Sequence, residues 1–345
     1  MAHLSCNSNI YNILRKLALR RDLSSHETDL MFAKVLDHSI GADTARSTLI
    51  LLREKPESSQ EIAQVASVLR VKAQTVTFDH PYLVDNCGTG GDGKGSFNVS
   101  TVAAIVAAAA GAFVAKHGNR SVSSKVGSTD LLEALGVRID AKPQRMLDCL
   151  KKLGIGFFHA PFYHPVMKEI APIRKSIKGR TVFNLLGPLL NPVKVKKQVI
   201  GVCSREFVKR LAQSVNILGT ERTIILCGEG GMDEATTFGN TYGMEIRKGR
   251  MRPFVLSGSE LGFIGGSEKG LRGGNVKKNK TIALGILRGN VSGPKKDAVL
   301  LNAGLTLLVS GVATDLKTAI SSANEVILKG KAYDLLKRFV EMSNR

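Results

Sequence analysis

An α/β fold, with a small all-helical domain followed by a larger domain on a mainly parallel central sheet, is predicted by three features of this 345-residue sequence. Through about Ala73 the apolar residues recur at helical spacing. From about Thr75 they gather into short runs punctuated by glycine, and helical stretches separate those runs. At 43% hydrophobic residues, a chain of this length can bury enough surface for two domains.

The helical part comes first. Ile10, Ile13, Leu14 and Leu17, then Leu30, Met31 and Val35, mark apolar helix faces. Ser24 or Ser25 before His26-Glu27, and Ser58 or Ser59 before Glu61-Ile62, read as N-caps, the first as the box Ser24-x-x-Glu27. Strand candidates follow at Tyr82-Leu83-Val84, Val114-Ala115, Val199 to Val202, Thr223 to Leu226 and Ile282 to Leu287. Helical stretches are Thr101 to Ala112, Thr129 to Leu135, Gln144 to Leu153, Glu206 to Leu218 and Asp297 to Ser310. The basic, proline-bounded segment Ile173 to Asn191 breaks this alternation and is expected to rejoin the helical part. The expected division is a helical domain over 1–75, rejoined by about 173–197, and an α/β domain over 76–172 and 198–345.

Forty-nine Lys and Arg against 29 Asp and Glu give a net charge of +20, which favours anionic partners: nucleic acid, a membrane surface, or small phosphorylated and carboxylated molecules. The cations are scattered, aromatics are 5% and tryptophan is absent, so no stacking platform for single strands and no specific nucleic-acid partner is expected. The longest apolar run, Val102 to Ala115, ends at Lys116, short of the roughly 20 residues that cross a bilayer, and reads as a buried helix. No membrane partner is expected. Met1 to Tyr11 lacks the features of a secretory signal, which makes a cytoplasmic location the expectation. Five dispersed cysteines without a CxxC pair indicate neither a disulfide framework nor a zinc site, and Cys87 reads as a small packing residue.

The strongest local signal is the segment Asp85 to Thr101, DNCGTGGDGKGSFNVST, between a strand candidate and an apolar helix. Glycines let backbone N–H groups approach an anion, and Ser100 and Thr101 add hydroxyls beside the free amides of a helix start. Read as a Walker A loop, Gly88-x-x-x-x-Gly93-Lys94 fails at Gly95, where a Ser or Thr should hold magnesium, so an NTPase is the weaker reading. Asp92 beside a pyrophosphate needs a hydroxyl, a water or a metal between them. A second polar cluster, Lys116 to Ser124, follows Val114-Ala115. In a parallel sheet Lys116 is therefore expected to emerge at the same carboxyl edge as Gly88, facing the glycine loop.

With both loops in view, the sequence resembles the anthranilate phosphoribosyltransferase family along nearly its whole length. The motifs occur in family order: Gly88-Thr89-Gly90-Gly91-Asp92, Asn98-Val99-Ser100-Thr101, Lys116-His117-Gly118-Asn119-Arg120, Leu132-Glu133-Ala134-Leu135-Gly136, His164-Pro165-Val166-Met167, Arg180 to Pro188, and Asp233-Glu234. The resemblance implies a small helical domain plus an α/β domain, a fold shared with pyrimidine nucleoside phosphorylases, and a homodimer formed through the helical domain. It implies transfer of phosphoribose from phosphoribosyl pyrophosphate to anthranilate, in tryptophan biosynthesis. Carried over by position, Gly88, Thr89, Gly90, Gly91, Asp92, Ser96, Asn98, Val99, Ser100, Thr101, Lys116 and Ser128 surround phosphoribosyl pyrophosphate.

The same resemblance assigns anthranilate to Gly88, Asn119, His164 and Arg174, and Mg2+ to Ser100, Asp233 and Glu234. The chemistry suits these types: a guanidinium pairs a carboxylate through two parallel hydrogen bonds, and hard oxygen ligands suit partly hydrated magnesium. An aromatic amine is already nucleophilic, so no residue is assigned as acid, base or covalent nucleophile. The chain departs from the family at Val126-Gly127-Ser128-Thr129-Asp130, at Leu190, and at Lys277-Lys278-Asn279-Lys280, where a more acidic stretch is usual. Two rivals share the architecture: a nucleoside phosphorylase, and a nucleic-acid-binding relative without catalysis.

Overall fold

Four helices open the chain: α1 (Ala2–Ala18), α2 (Ser25–Leu36), α3 (Ala42–Glu54) and α4 (Ser59–Val71). The computed structural model describes residues 2–120 and 125–345, with side chains from residue 9 onward. Both serine caps form reciprocal boxes. Ser24 Oγ accepts from Glu27 N while Glu27 Oε2 accepts from Ser24 N, and Ser58 and Glu61 repeat the exchange. Glu61, fully buried, also accepts from Leu23 N and from Lys55 Nζ, each at 2.9 Å, so one carboxylate ties α4 to the segments before α2 and after α3.

Beyond residue 75 the chain alternates strand and helix: β1 (Leu83–Gly88), α5 (Val99–Ala109), β2 (Phe113–Gly118), α6 (Ser128–Ala134), α7 (Pro143–Leu153) and β3 (Ile155–His159). Four short helices follow, α8 (Ala160–Tyr163), α9 (Val166–Glu169), α10 (Ala171–Lys175) and α11 (Phe183–Leu186). Then come β4 (Lys197–Gly201), α12 (Arg205–Ile217), β5 (Arg222–Cys227), β6 (Asn240–Arg247) and β7 (Arg250–Ser257). Four helices close the chain: α13 (Val276–Leu287), α14 (Pro294–Ser310), α15 (Leu316–Leu328) and α16 (Lys331–Asn344). The seven strands form one sheet in the order β3-β2-β1-β4-β5-β6-β7, with β1 to β5 parallel and β6 and β7 antiparallel.

Two apolar cores flank this sheet. One gathers α5, α14, α15 and α16, with α5 apolar on every side and therefore buried. The other joins α1 to α4 with Val182, Phe183, Leu186 and Leu189, with α12, and with one face of β4 and β5. Phe32 and Phe183 meet edge-on at 6.2 Å, and Arg180 grips the buried Glu57 through two hydrogen bonds of 3.0 and 2.9 Å.

The structure differs from the sequence reading in three elements. Ile282 to Leu287 is the end of α13 and not a strand, because Ala283, Ile286 and Leu287 are buried at helical spacing behind an Asn275 cap. The strand β3 has no counterpart in the sequence reading; Gly156 interrupts its apolar run, and it is buried on both faces, so it shows no alternation. Nor does the β6–β7 hairpin: its turn, Lys248-Gly249, has φ of 48° and 80°, and its outer strand is largely exposed and carries Pro253. Among the described residues no helix is long and apolar enough to cross a membrane.

Candidate active site

The strand order places a crevice between β1 and β4. From β1 the chain crosses through α5 to β2 on one side; from β4 it crosses through α12 to β5 on the other, so the connections diverge at the carboxyl ends of these two neighbours. Both strands end in glycine, Gly88 and Gly201, and the loop after β5 explains why. A methyl group at Gly88 would overlap Asp233 Oδ2, and one at Gly201 would overlap the Asp233 carbonyl. Asp233 thus lies across both strand ends, where Gly90 N donates to its Oδ2 at 2.8 Å.

The glycine loop leaves β1 over this carboxylate. Gly90, Gly91, Gly93 and Gly95 have φ between 65° and 81°, a backbone that residues with a Cβ adopt only under strain, so glycine lets the loop curl tightly there. Its return is fastened to the segment before α13. Phe97 N donates to Leu271 O at 3.0 Å, Gly273 N to Gly95 O at 2.9 Å, and Lys94 Nζ pairs with Glu268 Oε2 at 2.9 Å.

Three carboxylates meet under this loop. Burial pushes the Asp233 carboxyl up, and Asp92 adds like-charge repulsion. Burial and then Asp233 and Asp92 push Glu234 up in turn, against the Ser100 N–H and the Ser96 hydroxyl, which favour its charged form. Among the described residues, Asp92 Oδ2 and Glu234 Oε2 are buried without a hydrogen-bond partner. A cavity of about 20 Å³, room for one water or ion, is lined by Ser100, Asp233 and Glu234 among others. Among the described residues no three His, Cys, Asp or Glu side chains form a ready-made metal cage. Orphaned buried carboxylate oxygens beside a hydroxyl are the donor set that fits a magnesium ion completing its shell with water and phosphate oxygens.

The other residues singled out from the sequence fall into separate groups. Val99, Ser100 and Thr101 begin α5, with the Thr101 hydroxyl buried and unpartnered among the described residues. Asn98 caps this helix by position, but both ends of its amide are spent elsewhere, donating to Val126 O at 2.9 Å and accepting from Asn279 Nδ2 at 3.0 Å. Ser128 Oγ donates to Asn119 O at 3.2 Å. Ser121 to Ser124, part of the second polar cluster, lie outside the described residues.

Lys116 differs from its expected placement. β2 runs on to Gly118, so Lys116 sits inside the strand, buried, with Nζ donating to Asn86 O at 2.6 Å, and does not emerge at the sheet edge. Its charge partly offsets the burial that, on balance, raises the Asp85 carboxyl to about 6. His164 is likewise buried: Nε2 is 2.7 Å from Leu190 O, and desolvation depresses its pKa, so it is a neutral ring fixing a loop. Arg174, on α10, has its guanidinium 5.2 Å from the Phe183 ring centroid, its pKa lowered by burial. Among the described residues no ion pair joins it to the glycine loop. Cys87 is inert, its thiol pushed up to about 12 by burial first and then by Asp85.

Three residues that hold the site were not singled out for it. Asn302, on the otherwise apolar α14, accepts from Ala235 N at 3.1 Å and donates to Ala235 O at 2.9 Å, which clamps the chain just after Glu234. Asn191 Nδ2 donates to Asp85 Oδ2 and to Ala115 O, both at 2.8 Å, so that Asn191 and Asp85 together bind the loop after α11 to β1 and β2. The available signal was a lone polar residue in an apolar setting at Asn302, within Val299 to Leu305, and a carboxylate in the strand candidate at Asp85.

The model for the glycosyl transferase family, a/b domain, matches residues 80–333. A relative from Chloroflexus aggregans named anthranilate phosphoribosyltransferase is 40% identical over 336 residues, covering 97% of this chain and 98% of its own length. One of the same name from Acetivibrio thermocellus is 42% identical over 331 residues, covering 96% of each. The solved anthranilate phosphoribosyltransferase of Thermus thermophilus superposes with a TM-score of 0.91 at 38% identity, covering 96% of this chain and 99% of that one. The Saccharomyces cerevisiae enzyme, solved in complex with PRPP and Mg, gives 0.88 at 28% identity, with 98% of each chain covered. With sequence and fold matching these proteins over nearly the whole length, the chain belongs to the anthranilate phosphoribosyltransferase family.

Proposed function

We propose that this protein transfers the phosphoribosyl group of phosphoribosyl pyrophosphate to the amine of anthranilate, giving N-(5-phosphoribosyl)anthranilate and pyrophosphate in tryptophan biosynthesis. The observation that carries this reading is the glycine loop held over Asp233 by the Gly90 N–H, beside the unpartnered carboxylate oxygens of Asp92 and Glu234. A glycine-rich backbone lets amides approach an anion, orphaned carboxylate oxygens call for a cation, and a magnesium pyrophosphate satisfies both.

In the reaction a C–N bond forms at the anomeric carbon of ribose, the C–O bond to pyrophosphate breaks, and the amine loses a proton. The chain needs neither nucleophile nor strong base for this; it needs position and charge stabilisation. Gly88 to Asp92 and Ser96, with Val99, Ser100 and Thr101 at the α5 start, surround the pyrophosphate and ribose. Ser100, Asp233 and Glu234 would hold magnesium, which when bound would neutralise charge on the leaving pyrophosphate. Lys116 supports the same pocket from behind β1 through Asn86, and Ser128 borders it next to Asn119.

Arg174 pairs with the anthranilate carboxylate, a role supported by a half-buried guanidinium that packs on an aromatic ring. Gly88 and Asn119 border the anthranilate ring, and His164 supports that side through Leu190. The helical part, 1–75 with about 173–197, and the α/β part, 76–172 with 198–345, close on the two substrates and exclude water. Two copies pair through the helical part, whose α1 leaves Tyr11 68% exposed. The enzyme works in the cytoplasm.

The test mixes the protein with phosphoribosyl pyrophosphate, Mg2+ and anthranilate and follows loss of anthranilate fluorescence, with uridine and inorganic phosphate as the parallel reaction. Fluorescence loss that requires all three components is the expected result. Consumption of uridine with no loss of fluorescence would make the chain a nucleoside phosphorylase.

A further inference from the structure

Asn279 stands in the one stretch where the sequence departs into a run of lysines, yet its side chain is almost fully buried, at 2% exposure. Its Oδ1 accepts from Gly274 N at 2.8 Å, and its Nδ2 donates to Asn98 Oδ1 at 3.0 Å; Asn98 Nδ2 then donates to Val126 O at 2.9 Å. The sense of this chain is fixed at both ends by backbone groups. Gly274 N–H can only donate and Val126 C=O can only accept, so each amide has one orientation that satisfies all three bonds. A buried amide turned the wrong way would set oxygen against oxygen.

We infer that Asn279 is a positioning residue for phosphoribosyl pyrophosphate, acting through Asn98 to set the glycine loop against the segment that carries Ser128. The relay spans three pieces of chain that are otherwise far apart in sequence: 95–98, 125–128 and 271–275. Gly273 shows how closely they are fitted, since a Cβ there would come within 2.6 Å of Asn279 Oδ1 and 3.0 Å of Phe97 Cα. Asn98 keeps no free side-chain atom for a ligand in this arrangement. It serves the site by holding the start of α5 in register, and Asn279 holds Asn98. The inference rests on the phosphoribosyl reading of the glycine loop.

The test is Asn279→Asp, which keeps size and the bond from Gly274 but presents an oxygen to Asn98 Oδ1, with Asn279→Ala as the variant that buries no charge. The expected result for either folded variant is a KM for phosphoribosyl pyrophosphate raised about 10-fold or more, with the KM for anthranilate within about twofold of wild type. Amide hydrogen exchange should accelerate in 95–98 and 125–128. A packing role alone lowers the melting temperature and the active fraction, which scales kcat and leaves both KM values in place. An unchanged KM for phosphoribosyl pyrophosphate, or unchanged exchange in both loops, overturns the relay. The exchange measurement needs no substrate, so a failure of the wild-type protein to use phosphoribosyl pyrophosphate would sink the functional reading and leave the relay to be decided by exchange.

Discussion

Arg174, half-buried with its guanidinium 5.2 Å from the Phe183 ring centroid, is the residue proposed to take the anthranilate carboxylate. Arg174→Ala is expected to weaken use of anthranilate by roughly 1.5–3 kcal/mol, the worth of a charge-assisted paired contact, while phosphoribosyl pyrophosphate binding stays nearly constant. Titrating each substrate into the folded variant checks this, and equal weakening of both would remove Arg174 as a selective anchor. For the acidic pair, Asp233→Asn with Glu234→Gln preserves shape and removes like-charge repulsion, so the fold should persist or gain stability. Turnover should nevertheless collapse at low Mg2+ and partly recover as Mg2+ rises. A double variant with wild-type magnesium dependence would show that the carboxylates hold no metal.

At the scale of single elements, the start of α4 separates a cap from a buried charge network. Ser58→Ala removes one reciprocal cap bond and should lower stability by about 1 kcal/mol. Glu61→Ala removes the partner of Lys55, whose side chain is 2% exposed, and strands Leu23 N–H as well, so it should cost about 3–5 kcal/mol. Denaturant unfolding of the two variants side by side tests the contrast, and comparable losses would mean that Lys55 finds full compensation in Asp22, which lies 2.5 Å away. Both capping boxes were legible in the sequence because a Ser-x-x-Glu spacing is a local code. The network around Glu61 was not, since Lys55 and Leu23 reach it only when three segments converge.

For the molecule as a whole, histidine burial makes an acid limit. His117, in β2, is buried with Nδ1 3.1 Å from Gly187 O, and burial first, then His164, lowers its pKa from 6.5 to about 3. The unfolded chain therefore binds a proton that the folded one refuses: the stability is fully present above pH 6.5 and is lost as pH falls toward 3. Asp85, raised to about 6, works in the opposite sense, because its folded form takes up a proton first. His117→Asn, which can keep the donor to Gly187 O, isolates the histidine. The variant should be the less stable protein at about pH 7.5, and its deficit should shrink by roughly 2 kcal/mol at about pH 5. A deficit that does not change with pH would mean that His117 titrates alike in the folded and unfolded chains.

The sequence by itself determined the helical start, the parallel strand–helix alternation, the glycine loop and the acidic pair, because periodicity, caps and glycine clusters act over a few neighbouring residues. It did not determine that Lys116 lies inside β2 and faces Asn86, since a strand's last residue depends on how far its neighbours pair, and β2 pairs with β3 through Gly118. Nor did it reveal β6 and β7, which join the sheet because β5 offers an edge to pair with. Tertiary structure alone decided that Asp233 lies across Gly88 and Gly201, that Asn302 clamps Ala235, and that Asn279 reaches Asn98 across 181 residues. The physical reason is the same in each case: a buried polar group must find its partner wherever the fold brings one, and that partner carries no local signature in the chain.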